Sequence, residues 1–223
     1  MPTLHVLRVF VGEDGGGGNL LGVFLDGPSV PAQNRQAVAA RLGFAETVFV
    51  DDAPRGVVRI FTPTTELPFA GHPLVGTSWL LHRKGVQVDI LRPPAGEVPV
   101  RTEDGMTFIT GRGDWSSFEF LQVDAPADVD ALSGAPEGDD MVSVWAWIDE
   151  GRGEVRARVF PVEVGVVEDE ATGSAAVRMA CLLDRPIRIH QGVGSLLLAR
   201  PLGDGWAEVG GRTELVEVRD DPG

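Results

Sequence analysis

The most constraining feature of this chain is a short segment that occurs once in each half. Glu66–Pro73 reads ELPFAGHP and Glu168–Ala175 reads EDEATGSA, so in each copy an acid precedes a glycine at the same distance. A polar side chain comes directly after the glycine, His72 in the first copy and Ser174 in the second, and opens an apolar run. Two copies in the same order predict a duplicated unit whose halves face each other across a cleft.

The apolar runs and the turns downstream of the two copies are also repeated. Leu74–Leu81 and Ala175–Leu183 are apolar nearly all round, which is typical of a helix buried in protein. Each half then reaches an Asp-Gly pair, Asp104-Gly105 or Asp204-Gly205, flanked by β-rich residues, which predicts a hairpin turn.

The remaining pattern favours the α+β class over a parallel doubly wound sheet, because hairpins dominate. We expect an N-terminal half over 1–112 and a C-terminal half over 113–223, with a weakly structured connector at 125–140. A further helix is expected from Pro31 to Gly43. Strands are expected at 4–10, 20–25, 47–50, 57–61, 98–109 (as a hairpin), 141–148, 155–160, 196–200 and 206–209.

Composition excludes several classes of function. The chain has 223 residues and a formal net charge of −14, and it has no cluster of Lys and Arg to meet phosphates, so we expect no nucleic-acid partner. No apolar stretch approaches the ~18–20 residues of a membrane helix. No secretory signal is visible, and the single cysteine, Cys181, fits a reducing compartment. We therefore expect a cytoplasmic protein that has no membrane partner.

The two glycines predict an anion site. If buried helices begin at Gly71-His72 and Gly173-Ser174, their free N–H groups and positive dipole ends could hold a carboxylate without Lys or Arg. The alternative is that these pairs are ordinary turn and cap residues.

Four side chains could do proton chemistry in such a cleft: Glu46, His72, Asp169 and Ser174. Glu46 interrupts an apolar entry into a strand, and burial there would raise its pKa towards neutrality. The alternatives are a half-exposed Glu46, a core or capping His72, and an Asp169 in a solvated acidic loop. Its neighbours Glu168 and Glu170, like Glu66, are expected to be surface or capping residues.

No metal or cofactor is expected. The histidines His5, His82 and His190 have no metal-ligand spacing to each other or to Cys181, which is expected to be a small core residue. No Gly-x-Gly-x-x-Gly or Walker-type motif appears at a strand–helix junction.

These motifs together resemble the PhzF-like family of phenazine biosynthesis proteins, in family order and over about residues 4–215. The block Glu168–Ala175 is the most specific of them. The others are Gly18-Asn19, Ala45–Val50, Gly71–Pro73 and Gln191-Gly192.

The resemblance implies a diaminopimelate-epimerase-like fold: two pseudo-symmetric halves, each a sheet around a central helix, with the site between them. It implies a cofactor-free isomerase and a homodimer. Glu46 would be the general acid/base, with His72, Asp169 and Ser174 as polar partners. Asn19 and the backbone of Gly71, His72, Gly173 and Ser174 would bind a small carboxylate substrate.

Two-thiol racemisation, which other members of the superfamily perform, is not expected. The cysteines of those enzymes precede the glycine of each helix, and here Ala70 and Thr172 stand there.

The chain also departs from the family's pattern. It is short between about residues 117 and 155, Ala45 replaces a common Ser, and Glu170 replaces a Pro and would place a charge beside the anion site. The alternative to an enzyme is therefore a silent member that binds a small acid or serves as an interaction protein. A filled or collapsed cleft would favour that alternative.

Overall fold

The structure is a computed structural model and describes residues 1–221. It has four α-helices and fourteen strands in that range. The helices are α1 (Arg35–Leu42), α2 (Gly71–Arg83), α3 (Pro126–Asp130) and α4 (Gly173–Leu183). The strands are β1 (Thr3–Val11), β2 (Asn19–Phe24), β3 (Glu46–Asp52), β4 (Val57–Phe61), β5 (Glu66–Leu67), β6 (Ile90–Leu91), β7 (Val98–Glu103), β8 (Met106–Arg112), β9 (Glu119–Gln122), β10 (Met141–Asp149), β11 (Glu154–Pro161), β12 (Ile187–Gln191), β13 (Ser195–Gly203) and β14 (Trp206–Asp220).

Strand pairing repeats between the halves, as the duplicated segments predict. In the first half β2 runs parallel to β3 across α1, and β3 then pairs antiparallel with β4. In the second half β9 runs parallel to β10 across α3, and β10 pairs antiparallel with β11. A central helix follows in each half, α2 after the two-residue strand β5 and α4 as the next α-helix or strand after β11. The fold is thus α+β with two similar halves.

The last strand joins the two halves. The first part of β14 pairs with β13 on one side and β8 on the other, and its second part pairs with β1, from Thr213 opposite Val9 to Asp220 opposite Thr3. Strand pairing therefore crosses the division expected at residues 112/113. The strand β8, from the first half, pairs with the first part of β14, and the second part of β14 pairs with β1 of the first half.

The two central helices are buried, as their apolar sequences predict. Most of α2 from Gly71 to Leu81 is shielded from solvent, and α4 buries Ala175, Val177 and Met179. None of the helices in residues 1–221 has the length and apolar content required to cross a membrane.

Local turn chemistry agrees with the sequence at both Asp-Gly pairs. Asp104 and Gly105 have φ of 49° and 74°, and Asp204 and Gly205 have φ of 51° and 75°. Positive φ at both central residues is the geometry of the type I′ hairpin turn.

The expectation of a weakly structured connector over 125–140 is wrong in its first part. Pro126 opens the short helix α3, and the Asp128 carboxylate accepts a hydrogen bond from the Ala125 N–H at 3.0 Å. Val129 is buried, Leu132 and Ala135 pack against the core, and Arg158 donates to the Leu132 carbonyl, so tertiary contacts order a segment whose composition is that of a loop.

Candidate active site

The N-termini of α2 and α4 meet at the centre of the molecule. A methyl group placed on Gly71 would lie 2.5 Å from Gly173 Cα, and one on Gly173 would lie 2.8 Å from Gly71 Cα. Only glycine allows this approach, because the neighbouring atoms are backbone. The first N–H groups of both helices, which have no acceptor within a helix, therefore open onto one place.

Neither helix start is capped by a side chain. Ala70 occupies the cap position of α2 and has no polar group, and Thr172 occupies that of α4 without capping it. The Thr172 hydroxyl instead donates to Asp169 Oδ2 at 2.7 Å. The helix ends thus keep free donors for a negatively charged ligand.

Glu46, the first residue of β3, directs its carboxyl group into this region. The residue is only 9% exposed, and Glu46 Oε2 lies 3.2 Å from His72 Nε2. Neither atom makes an aligned hydrogen bond within residues 1–221. Burial raises the pKa of Glu46 well above its ordinary value, and the negative charge of Asp169 raises it further.

His72 lies in the first turn of α2 and is 2% exposed. Burial lowers the pKa of its imidazole to about 3, although a hydrogen bond to the Leu20 carbonyl opposes that shift. The ring is therefore neutral near pH 7. Its other nitrogen, Nδ1, lies 3.4 Å from Asn19 Nδ2.

Asp169 is the centre of a buried hydrogen-bond network. Its Oδ1 accepts a hydrogen bond from Asn19 Nδ2 at 2.5 Å, and Gln191 Nε2 donates to its backbone carbonyl at 2.8 Å. Burial raises its pKa to about 6; hydrogen bonds from Thr172 and Asn19 oppose this effect, while the charge of Glu170 adds to it. The same Gln191 side chain binds Thr172, accepting from its N–H at 3.1 Å and donating to its hydroxyl at 2.9 Å.

A cavity of about 180 Å³ opens between the halves above these groups. It is smaller than the ~300–1,000 Å³ of sites that hold drug-sized ligands, so it suits a small metabolite. Glu46, Asp169, Thr172 and Ser174 supply its polar side chains near the helix starts. Its outer wall is formed by Leu67, Pro68, Phe69, Ala70, Trp115, Ser116, Ser117, Phe118, Met141, Pro161, Val164 and Val166.

The structure gathers the residues that the sequence singled out. Glu46, Asp169 and Ser174 line the cavity, His72 contacts Glu46, and the two glycines bring the helix starts together. Asn19, expected to bind the substrate, is not among the residues that line the cavity. It is 6% exposed, and its amide already binds Asp169 and the Ala171 carbonyl.

Residues that sequence reasoning left without a role complete the site. Thr172 and Gln191 belong to the family motifs, so the sequence could have indicated their role in the site. No sequence motif marks Trp115, Phe118 or Met141 as a cavity residue. Among the flanking acids, Glu66 and Glu168 pair on the surface with Arg59 and Arg158, as expected. Glu170, expected to be a surface or capping residue, is half-buried, and its carboxylate accepts hydrogen bonds from the Val193 N–H and the Ser195 hydroxyl. Glu170 does not line the cavity, but its charge raises the pKa of Asp169, which does.

Within residues 1–221, no group of three or more His, Cys, Asp or Glu side chains is arranged to hold a metal ion. Cys181 is half-buried on α4, and its thiol donates to the Gly205 carbonyl at 3.4 Å.

Comparison with known proteins identifies the family. The model of the phenazine biosynthesis-like protein family (PhzC-PhzF) matches residues 8–127. A trans-2,3-dihydro-3-hydroxyanthranilate isomerase from Pseudomonas fluorescens is 30% identical over 89% of this chain and 89% of its own. The chain belongs to the phenazine biosynthesis-like family. An uncharacterised isomerase from Deinococcus radiodurans is a further relative, 29% identical over 91% of this chain and 86% of its own. These relatives confirm that this member of the phenazine biosynthesis-like family is an isomerase.

Solved structures confirm the fold of the family member described here. A predicted epimerase from Pseudomonas aeruginosa superimposes over 100% of both chains with a TM-score of 0.79 and 25% identity. A hydroxyproline epimerase from Agrobacterium vitis, solved with bound trans-4-hydroxy-L-proline, covers 99% of this chain and 93% of its own with a TM-score of 0.67 and 13% identity. The diaminopimelate-epimerase-like architecture expected from the sequence is thereby confirmed.

Proposed function

We propose that this protein is a cofactor-independent isomerase that moves a proton between two carbons of a small carboxylic acid, with Glu46 as the group that carries the proton. The observation that carries the proposal is the placement of Glu46: a buried carboxyl of raised pKa beside the neutral His72, at the wall of a small cavity. A carboxyl whose pKa approaches the working pH can both accept and return a proton.

The proposed reaction is balanced without a redox partner. A C–H bond of the substrate breaks and its proton passes to the Glu46 carboxylate while a double bond of the substrate shifts. Glu46 then delivers a proton to a different carbon and ends in its starting form. Because a carboxylic acid proton exchanges with water, the proton delivered in D₂O can be a deuteron. Asp169 and His72, both within the same buried cluster, would tune how readily Glu46 gains and loses that proton.

The helix starts supply the proposed binding site for the substrate's carboxylate. The N–H groups of Gly71, His72, Gly173 and Ser174 lie at two convergent, uncapped N-termini. Anion binding there needs no cationic side chain, which suits a chain of net charge −14.

The apolar outer wall favours a substrate that is unsaturated or cyclic beyond its carboxylate. Phe69, Trp115 and Phe118 offer ring faces and edges there. A compound like trans-2,3-dihydro-3-hydroxyanthranilate, the substrate in the names of several relatives, has this character. The cavity is open, and a filled or collapsed cleft was the observation that would have favoured the silent alternative.

Proton exchange in D₂O, followed by NMR, tests the proposal. The panel contains trans-2,3-dihydro-3-hydroxyanthranilate, several amino acids and a few unsaturated hydroxy acids. We expect deuterium to enter a carbon position of at least one compound, and Glu46→Gln to slow this exchange by ~10²–10⁴-fold, the usual effect of removing a general base.

Glu66→Gln is the matched control. It makes the same chemical change just before α2, but Glu66 pairs with Arg59 outside the cavity, so exchange should stay within a few-fold of the wild type. Exchange that persists in Glu46→Gln would refute the mechanism. No exchange with any compound, in folded protein, would favour the silent binder.

A further inference from the structure

Glu170 makes contacts that a surface acid does not make. Both of its carboxylate oxygens lie 3.0 Å from the Val193 N–H, and Oε1 accepts a hydrogen bond from the Ser195 hydroxyl at 2.7 Å. Ser195 is 1% exposed, and its Oγ accepts in turn from the Gly18 N–H at 2.8 Å. One carboxylate thus joins three segments that are distant in sequence.

The backbone of these segments is shaped to admit that carboxylate. Gly192 has φ of +58°, and a methyl group on it would lie 2.1 Å from Glu170 Oε2. Gly17 has φ of +61°, and a methyl group there would lie 2.3 Å from the Ser195 nitrogen. The two loops can close on Glu170 and on each other only because glycine occupies both positions.

Each of these three segments also carries a residue of the buried network around Asp169, within two residues of the position that takes part in the Glu170 contacts. Gly18 precedes Asn19, whose amide binds the Asp169 carboxylate. Glu170 comes directly after Asp169 itself. Val193 lies two residues after Gln191, which binds the Asp169 carbonyl and Thr172. The outer hydrogen bonds therefore hold together the same three segments that the inner hydrogen bonds join.

We propose that Glu170 is a positioning residue: it fastens the loops that carry Asn19 and Gln191 to the segment that carries Asp169, and so fixes the hydrogen-bond donors around Asp169. Ser195 is its partner in this role. Neither side chain has to touch the substrate, and Glu170 is absent from the cavity lining. The proposal rests on the proposed function in one respect, since it takes Asp169 to belong to the working site.

The test is NMR of isotopically labelled protein without any substrate. Its readout is hydrogen exchange of the side-chain amides of Asn19 and Gln191. In Glu170→Gln the amide side chain can no longer offer two acceptor oxygens to Val193 and Ser195. We expect protection of the Asn19 and Gln191 amides to fall about three- to tenfold, the range that the loss of one hydrogen bond gives. Backbone amides in the centres of α2 and α4 should keep their wild-type protection, which separates local loosening from global unfolding.

Glu168→Gln is the matched control. It removes the same charge at the other neighbour of Asp169, where the carboxylate pairs with Arg158 and not with the loops. Its Asn19 and Gln191 amides should exchange as in the wild type. Equal loss of protection in Glu168→Gln and Glu170→Gln would overturn the proposal, because charge alone would then be responsible.

Ser195→Ala gives a second, independent measurement. It retains the charge of Glu170 but removes the hydroxyl that links it to Gly18, and we expect the protection of the Asn19 amide to fall. Unchanged protection in folded Glu170→Gln or in Ser195→Ala overturns the proposal. Because no substrate is used, this outcome is separate from success or failure of the exchange assay in D₂O.

Discussion

Glu46 Oε2 and His72 Nε2 lie 3.2 Å apart, and burial favours the uncharged form of each group. An acid and a base so close would form an ion pair in a wetter place. Here burial raises the pKa of the carboxyl and lowers that of the imidazole, so the two groups do not form an ion pair, and a proton that Glu46 accepts stays on its carboxyl group.

The first prediction concerns stability and Glu46. Its pKa is raised on folding, so its contribution to stability is present below the ordinary value of 4.5 and is lost as pH rises through the folded-state value. Glutamine does not ionise, so Glu46→Gln abolishes this loss of stability at high pH. The loss amounts to about 1.4 kcal/mol for each unit by which the folded-state pKa exceeds the unfolded-state pKa. Urea unfolding at pH 4 and pH 8 should show the variant gaining on the wild type as pH rises. A constant difference between the two proteins would show that Glu46 is not buried as a neutral acid.

The second prediction concerns His72, whose folded-state pKa of about 3 lies below its ordinary 6.5. The unfolded chain binds the proton first, so this group lowers stability as pH falls from 6.5 towards 3. We expect the ring carbons of His72 to show no NMR titration between pH 5 and 8 in the native protein. The same ring in urea-unfolded protein is the control and should titrate near 6.5. A native titration in that range would mean that His72 is charged or solvated.

The third prediction concerns the meeting of the two helix starts. Gly71→Ala places a methyl group 2.5 Å from Gly173 Cα, and backbone cannot yield as a flexible side chain does. We expect a loss of ~1–3 kcal/mol in unfolding free energy, the usual cost of overpacking. Gly134→Ala is the control, because its methyl group would meet nothing within 4 Å. Equal stability of the two variants would contradict the close approach.

The fourth prediction concerns Asn19. Asn19→Ala removes a donor from the buried Asp169 carboxylate, so the unfolding free energy should fall by ~1–3 kcal/mol and the pKa of Asp169 should rise above about 6. Carboxyl-carbon NMR and urea unfolding measure the two effects. Asn34→Ala removes an exposed amide that makes no capping hydrogen bond and should change stability by less than ~0.5 kcal/mol. A pKa of Asp169 that does not rise would show that the Asn19 amide does not stabilise the charged form.

Local pattern was enough to predict much of this fold. The apolar runs after Gly71 and Gly173 predicted the two central helices, and the Asp-Gly pairs predicted their hairpin turns, because these features depend on near neighbours in sequence. The repeat also indicated that the two helix starts would face each other.

Long-range contacts set the limit of prediction. Three consecutive acids look alike in sequence, yet Glu168 pairs with an arginine at the surface, Asp169 is buried among donors, and Glu170 binds the loop at Val193 and Ser195. The different environments of Asp169 and Glu170 depend on contacts with Asn19 and Ser195, which are distant from them in sequence. The apolar cavity wall at Trp115 and Met141 could not be predicted from the sequence, because it too depends on contacts between distant segments.

Because Leu4 of the first strand pairs with Arg219 of the last, the order of synthesis constrains assembly. As the chain leaves the ribosome, β1 has β2 on one side, but its other partner, β14, is the last of the strands in residues 1–221 to be translated. One edge of β1 therefore stays unpaired until β14 has been translated. Contacts of such long sequence separation slow folding.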